Sequence, residues 1–450
     1  MDSLINKKSL LVHPDHEKRQ VAMKRAGELK HRIEDYLKAA KHIPTGFKLE
    51  EQYQTRKRNI LNFLGATDSD WQNWRWQMRN RVSDVRKLRQ LLPLTDEEAG
   101  HIEFVSRKFR WAVSPYYLSL MQTDNPNCPV RMQGIPSIWE IRDNWGKEDP
   151  MAEEYTSPAP RITRRYADRL IINATNQCAM FCRHCQRRRN IGEVDRPASV
   201  EDIKAAIEYI RANHEVRDVL ITGGDPLTLS DDWLDWILTE LDNIEHVEIK
   251  RIGSRVPVTM PQRITPKLCN MLEKHHPIFV NTHFNHPMEV TREALKATRM
   301  LAKAGIQLGN QAVLLKGINN DPHIMKKLNH ELLKIHVRPY YIFHAKPVKG
   351  TTHFVTTIQE GLEIMENLRG YTSGLAVPWY IINAPGGAGK TPLLPQYLLS
   401  VEKDNVMIRT WEGKVFRCAN GGYPASSVDP PSDVDSPYGW EAGLKDNTPS

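Results

Sequence analysis

The chain is expected to be an α/β protein built on a partial (β/α)6 barrel, with a helical region before it and an extension after it. Short β-rich runs alternate with amphipathic stretches six times after residue 165, and that alternation is the pattern of a parallel sheet. The stretches between the runs place apolar residues near i, i+3 and i+4, the spacing of a helix with one buried face. In a barrel of this kind the chemistry belongs at the C-terminal ends of the strands.

Residues 1–160 read as mainly helical, beginning with the charged stretch Glu17–Ala40. Trp71, Trp74 and Trp76 follow as packing residues, and Thr95 before Asp96-Glu97-Glu98 reads as a helix start. The barrel, 161–390, has expected strands at Arg169–Thr175, Asp218–Gly223, Val247–Ile252, Pro277–Phe284, Gln307–Leu315 and Val337–Phe343. Its helices are expected at Val200–Asn213, Asp232–Asn243, Thr291–Ala304 and Ile324–Ile335, and a further apolar run covers Ala376–Ile382. Residues 391–450 read as a largely irregular extension. Its end, Pro424–Ser450, is rich in Pro, Ser, Asp and Gly and reads as a loosely held tail.

The chain has 450 residues, 40% hydrophobic and 26% charged, which is ordinary for a globular protein. No signal peptide and no run of about 18 apolar residues is visible, so a cytoplasmic location and no membrane partner are expected. The formal charge of +8 raises the question of a polyanion. Much of that excess is local, in the arginines between Arg161 and Arg189, and small anionic ligands are expected there rather than nucleic acid. Cys128, Cys269 and Cys418 are scattered while Cys178, Cys182 and Cys185 are bunched, a poor pattern for a disulfide framework and a good one for metal ligation.

Cys178-Ala179-Met180-Phe181-Cys182-Arg183-His184-Cys185 follows the first expected barrel strand. Three thiolates in so short a loop converge on a soft metal centre. A tetrahedral zinc wants a fourth ligand that His184, wedged beside Cys185, is poorly placed to give. Three cysteines suit a four-iron, four-sulphur (4Fe-4S) cluster with one iron left open. The spacing resembles the radical S-adenosylmethionine superfamily, which implies that S-adenosylmethionine binds the open iron and is cleaved to a 5′-deoxyadenosyl radical. Gly223-Gly224-Asp225-Pro226, after the second strand, matches the superfamily's motif for the methionine amino group.

Ala384-Pro385-Gly386-Gly387-Ala388-Gly389-Lys390-Thr391 superficially fits a phosphate-binding P-loop, but Pro392 and Pro395 forbid the helix that must follow one. The other reading is a lysine on a flexible glycine loop, available to form an imine with pyridoxal phosphate. With Cys-Arg-His-Cys-x-Arg-Arg-Arg, Arg-Ile-Gly-Ser-Arg and Asn-Thr-His-Phe-Asn-His-Pro, the combination resembles the lysine 2,3-aminomutase family from about Leu64 to about Glu412. The resemblance implies that Lys390 is the Schiff-base lysine and that Arg165 and Arg169 hold the cofactor phosphate. It gives Arg187 the substrate α-carboxylate, and His283 and Gln311 contacts to S-adenosylmethionine.

Members acting on lysine hold its distal ammonium with two aspartates, at places occupied here by Lys346 and Asn383. The charge is inverted, so the substrate is expected to be acidic at its far end: glutamate, with β-glutamate as product of a radical 1,2-amino shift. A lysine 2,3-aminomutase or another amino-acid 2,3-aminomutase is the alternative. Leaving a buried charge unpaired costs about 3–5 kcal/mol, enough to disfavour lysine by roughly a hundredfold or more. The family's structural zinc is not expected, because Asp321 stands at one ligand place and Cys418 is the only cysteine in the tail. The resemblance also implies a homo-oligomer and an electron donor such as a flavodoxin or ferredoxin.

Overall fold

The computed structural model describes residues 16–421. The chain divides into two compact units after Ile43. The first contains helices His16–His31 and Glu34–His42, where the sequence suggests one stretch from Glu17 to Ala40. The division does not fall near residue 160, as the sequence texture suggests. The helices from Pro44 onward share a unit with the sheet.

That sheet runs in chain order: β1 (Ile162–Arg164), β2 (Arg169–Thr175), β3 (Asp218–Gly223), β4 (Ile249–Gly253), β5 (Ile278–Thr282), β6 (Gln307–Leu314), β7 (Arg338–His344), β8 (Trp379–Asn383) and β9 (Lys390–Leu393). β2 to β8 are parallel. β1 and β9 close the two ends antiparallel and do not pair with each other, so the barrel is open. β8, the further apolar run, adds a parallel strand beyond the six expected. Residues 391–421 are not largely irregular either. After β9, an antiparallel sheet forms from β10 (Leu398–Val401), β11 (Asn405–Arg409) and β12 (Val415–Ala419). Pro392 is tolerated because β9 is an edge strand with a partner on one side only. The tail from Pro424 lies outside the described residues.

Helices cover the sheet through apolar faces at helical spacing. Ser199 caps Val200–Ala212, which buries Ile203, Ala206, Ile207 and Ile210. Ser230 caps Asp231–Asp242, which buries Leu234, Ile237, Leu238 and Leu241. Each fully buried Ile or Leu contributes about 1.5–3 kcal/mol. Thr95 starts helix Asp96–Ser106 through a capping box with Glu98. Trp71 and Trp76 are buried in the core, as packing residues should be. Helical segments after Pro44 also brace the loop that follows β5: the Tyr117 hydroxyl donates to Glu289 at 2.7 Å and the Tyr53 hydroxyl to the Met288 carbonyl at 2.9 Å. Among the described residues no helix is long and apolar enough to cross a membrane.

Candidate active site

At the C-terminal strand ends lies a cavity of about 1890 Å³, counted out to its open mouth. Arg165, Arg169, Cys178, Cys182, Cys185, Arg187, Gly223, Gly224, Asp225, His283, Gln311, Lys346, Asn383 and Lys390 all line it. Every residue singled out in the sequence is therefore brought together.

The cysteine loop after β2 is fixed from beneath. Arg183 is buried and makes two hydrogen bonds to Glu140, at 2.9 and 2.5 Å, while Arg188 makes another at 2.7 Å. Burial alone would raise the Glu140 carboxyl, but the two guanidiniums outweigh it and hold the group below its ordinary value. The thiols of Cys178 and Cys185 are pushed up, chiefly by burial and then by neighbouring negative charge. Such thiols stay protonated unless a metal takes the proton's place. Arg255 donates from Nη1 to Cys182 Sγ at 2.8 Å, a ready partner for a thiolate. Among the described residues no three Cys, His, Asp or Glu side chains are grouped to hold a single metal ion. A four-iron cluster asks for something else, since it spreads three thiolates over three irons. The donor set fits that group.

Gly223 and Gly224 are needed for a close approach, but the partner is the cysteine loop itself. The Gly224 N–H donates to the Thr175 carbonyl at 2.5 Å and the Asp225 N–H to Gln177 at 2.6 Å. A Cβ at Gly224 would run into the Gln177 carbonyl, and Gly223 has φ +119°. Asp225 accepts from Ser254 Oγ at 2.6 Å and from the Arg255 N–H at 2.7 Å, and burial raises its carboxyl to about 6. Much of its accepting capacity is thus used in joining β3 to β4. His283, after β5, donates from Nδ1 to the Gln311 carbonyl of β6 at 2.9 Å, and burial lowers it to about 4. It is a neutral imidazole with Nε2 to offer.

Lys390 is not on the flexible loop that the glycines suggest. It is the first residue of β9, cross-strand from Asn383 of β8, and the glycines form the connection between them. Its N–H donates to the Tyr166 hydroxyl at 2.8 Å. Its ammonium lies 5.0 Å from the Tyr341 ring centre and 5.3 Å from that of Phe343. Burial first, then Arg251 and Arg169, lower this amine to about 8, which makes the neutral nucleophile accessible near neutral pH. Lys346, following β7, lies over the same Phe343 ring at 5.5 Å and touches Gln186 Oε1. Burial, Arg187 and Lys390 lower it to about 7.

Arg169 stacks 4.0 Å from the Tyr166 ring centre. Arg165 Nη2 stands 3.1 Å from Glu153 Oε1, and Arg187 Nε stands 3.5 Å from the same oxygen. Arg165 Nε and Nη2, Arg187 Nε and Asn383 Nδ2 are buried without a well-directed hydrogen bond. Arg165 Nη2 and Arg187 Nε have the Glu153 carboxylate as an ion-pair partner, whereas Arg165 Nε and Asn383 Nδ2 each cost about 1–3 kcal/mol, which a bound anion relieves. The cavity's donors therefore fit a phosphate and two carboxylates, the groups that pyridoxal phosphate and a dicarboxylic amino acid would bring.

Glu153, Tyr166, Gln186 and Arg255 extend the set read from the sequence. Arg255 ends the Arg-Ile-Gly-Ser-Arg run, and Gln186 stands between Cys185 and Arg187, so position could have flagged both. Glu153 sits in an acidic loop that locally resembles any solvated surface.

A family model described as Radical SAM superfamily matches residues 172–328, and one described as Lysine-2,3-aminomutase matches 365–424. The chain is 57% identical over 402 residues to glutamate 2,3-aminomutase of Clostridioides difficile, covering 89% of this chain and 95% of that one. It is 49% identical over 354 residues to L-lysine 2,3-aminomutase of Clostridium subterminale, covering 78% and 85%. Against L-lysine 2,3-aminomutase of Bacillus subtilis it is 46% identical over 359 residues, covering 80% and 76%.

Proposed function

The chain belongs to the lysine 2,3-aminomutase family of radical S-adenosylmethionine enzymes, and on that premise we propose that it interconverts L-glutamate and β-glutamate. Its cofactors are the family's: a 4Fe-4S cluster, S-adenosylmethionine and pyridoxal phosphate. When bound, the first two supply a carbon-centred radical, and the third supplies a conjugated ring over which an unpaired electron can spread.

The substrate assignment rests above all on Lys346. A cation stands at this place, close enough to Arg187 for the guanidinium to oppose charge on the Lys346 amine. A short dicarboxylate needs two cationic partners near each other, whereas the ammonium of lysine would meet like charge. Asn383 Nδ2, buried and unpaired by any well-directed bond, is a second donor for the distal carboxylate. In this reading Arg187 takes the α-carboxylate with its terminal nitrogens, and Arg165 and Arg169 take the cofactor phosphate. Lys390 offers its amine to the cofactor, Cys178, Cys182 and Cys185 ligate the cluster, and Gly223, Gly224, Asp225, His283 and Gln311 surround S-adenosylmethionine. Holding the substrate at both ends fixes the carbon that reacts and excludes water from it.

The cluster needs an electron from outside, for which a flavodoxin or ferredoxin is the proposed donor. A homo-oligomer is proposed as well, supported by Leu398, Leu399 and Val401 exposed along the edge strand β10. The assignment is tested by reconstituting the protein anaerobically with iron, sulphide, pyridoxal phosphate and S-adenosylmethionine under a strong reductant. Glutamate and lysine are then offered separately. β-Glutamate without β-lysine is the expected result, and β-lysine alone would overturn the substrate while leaving the family intact.

A further inference from the structure

We infer that Glu153 is a positioning residue shared by two anion sites, orienting Arg165 for the cofactor phosphate and Arg187 for the substrate α-carboxylate. Its role rests on the reading of Arg165 and Arg187 given above, but not on which amino acid is the substrate. Glu153 is 8% exposed, on the segment between residue 149 and β1, while the following Tyr155 is 91% exposed. The carboxylate is thus turned inward where Glu154 and Tyr155, which follow it, face water. One oxygen meets Arg165 Nη2 and Arg187 Nε; the other is 3.7 Å from Arg189 Nη2.

The backbone is built for that turn. Ala152, just before Glu153, has φ +49°, a left-handed conformation that costs a side-chain-bearing residue about 1–2 kcal/mol. Met151 anchors the segment in the interior, and its carbonyl lies where a Cβ on Gly387 would have to go. Glu153 is therefore held against both the arginines and the connection that carries Lys390. Because Glu153 faces the Nε edge of Arg187, the two terminal nitrogens remain for an end-on, bidentate grip on a carboxylate. Without Glu153, three neighbouring guanidiniums would repel one another and lose their fixed orientation. Its negative charge also opposes anions, so the sign of the net effect separates a positioning role from mere competition.

The test substitutes Glu153→Gln, which keeps the shape and removes the charge. Binding of pyridoxal phosphate is titrated by its absorbance, and KM and kcat are measured with both glutamate and lysine. We expect the cofactor to bind about tenfold more weakly and the KM for the amino acid turned over to rise about tenfold, as for loss of an orienting outer partner. kcat should stay within about twofold, and Glu153→Asp should recover part of the loss. The titration needs no amino acid, so it tests Glu153 even if the substrate is not glutamate. Iron content and cluster absorbance report folding at a place Glu153 does not touch. Should Glu153→Gln lose its iron, Glu153→Asp carries the same titration. Tighter binding of cofactor and substrate would make Glu153 a competitor and overturn the inference. Unchanged affinities for both would also overturn it.

Discussion

Lys346→Met is the substitution that most directly separates glutamate chemistry from the rest of the family's. It removes the charge, keeps most of the length, and leaves Phe343 a partner to pack on. The distal carboxylate of glutamate would then enter a cavity with Asn383 as its remaining donor there. A buried charge stripped of its partner costs about 3–5 kcal/mol, and Lys346 also contacts the exposed Gln186, which argues for the lower end. Three of those kcal/mol correspond to a loss of about a hundredfold in kcat/KM. The assay is β-glutamate formation by the reconstituted enzyme, with pyridoxal phosphate content and cluster absorbance checked to be those of the wild type. A pH arm sharpens it. Lys346 is lowered to about 7 and only its protonated form attracts a carboxylate, so affinity for glutamate should fall as pH rises through about 7. That slope should vanish in Lys346→Met. A loss under about fivefold, or an unchanged pH slope, would refute the distal role of Lys346.

Lys390→Ala should abolish turnover, and borohydride should no longer fix the cofactor to the peptide containing residue 390, as read by mass spectrometry. Any one of Cys178→Ser, Cys182→Ser or Cys185→Ser should lose most of the iron and the brown absorbance, measured by iron assay after anaerobic reconstitution. Glu140→Gln leaves Arg183 and Arg188 buried without their counter-charge and should cost about 3–5 kcal/mol in denaturant unfolding at neutral pH. Because the Glu140 carboxyl is held below its ordinary value, its contribution is complete above the usual carboxylate range. It is lost as pH falls through the depressed value, so the variant should differ less from wild type in acid. Gly224→Ala should displace the cysteine loop and lower iron retention, since the Gln177 carbonyl occupies the space a methyl would need.

Local pattern carried the barrel well where strands are apolar and their helices amphipathic. β2 and β3 span the residues expected, and the other strands differ by a few residues at their ends. What escaped was structure whose stability is not local. β9 begins at a lysine next to glycines and contains Pro392, and it is a strand because β8 lends it a ladder. β10 to β12 stabilise one another and have no buried periodic face to announce them. In the site, Cys178, Cys182, Cys185 and Lys390 were legible because their spacing and glycine context are chemically particular. Glu153 and Arg255 matter through partners far away in the chain, such as Arg187 and Cys182, and no window of sequence displays such pairs.

Lys390 and Asn383 are opposite rungs of one two-stranded ladder. The residue assigned to the chemistry and one assigned to recognising the far end of the substrate therefore cannot drift apart by small backbone changes. A slip of β9 by one position against β8, which β7 holds on its other side, would turn Lys390 to the opposite face and leave Asn383 where it is. For an engineer, the stretch from Trp379 to Leu393 is a cassette: exchanged whole between relatives, it should carry reactivity and part of the substrate preference in one piece. Recombination inside it would make hybrids in which the lysine and its cross-strand neighbour come from different parents.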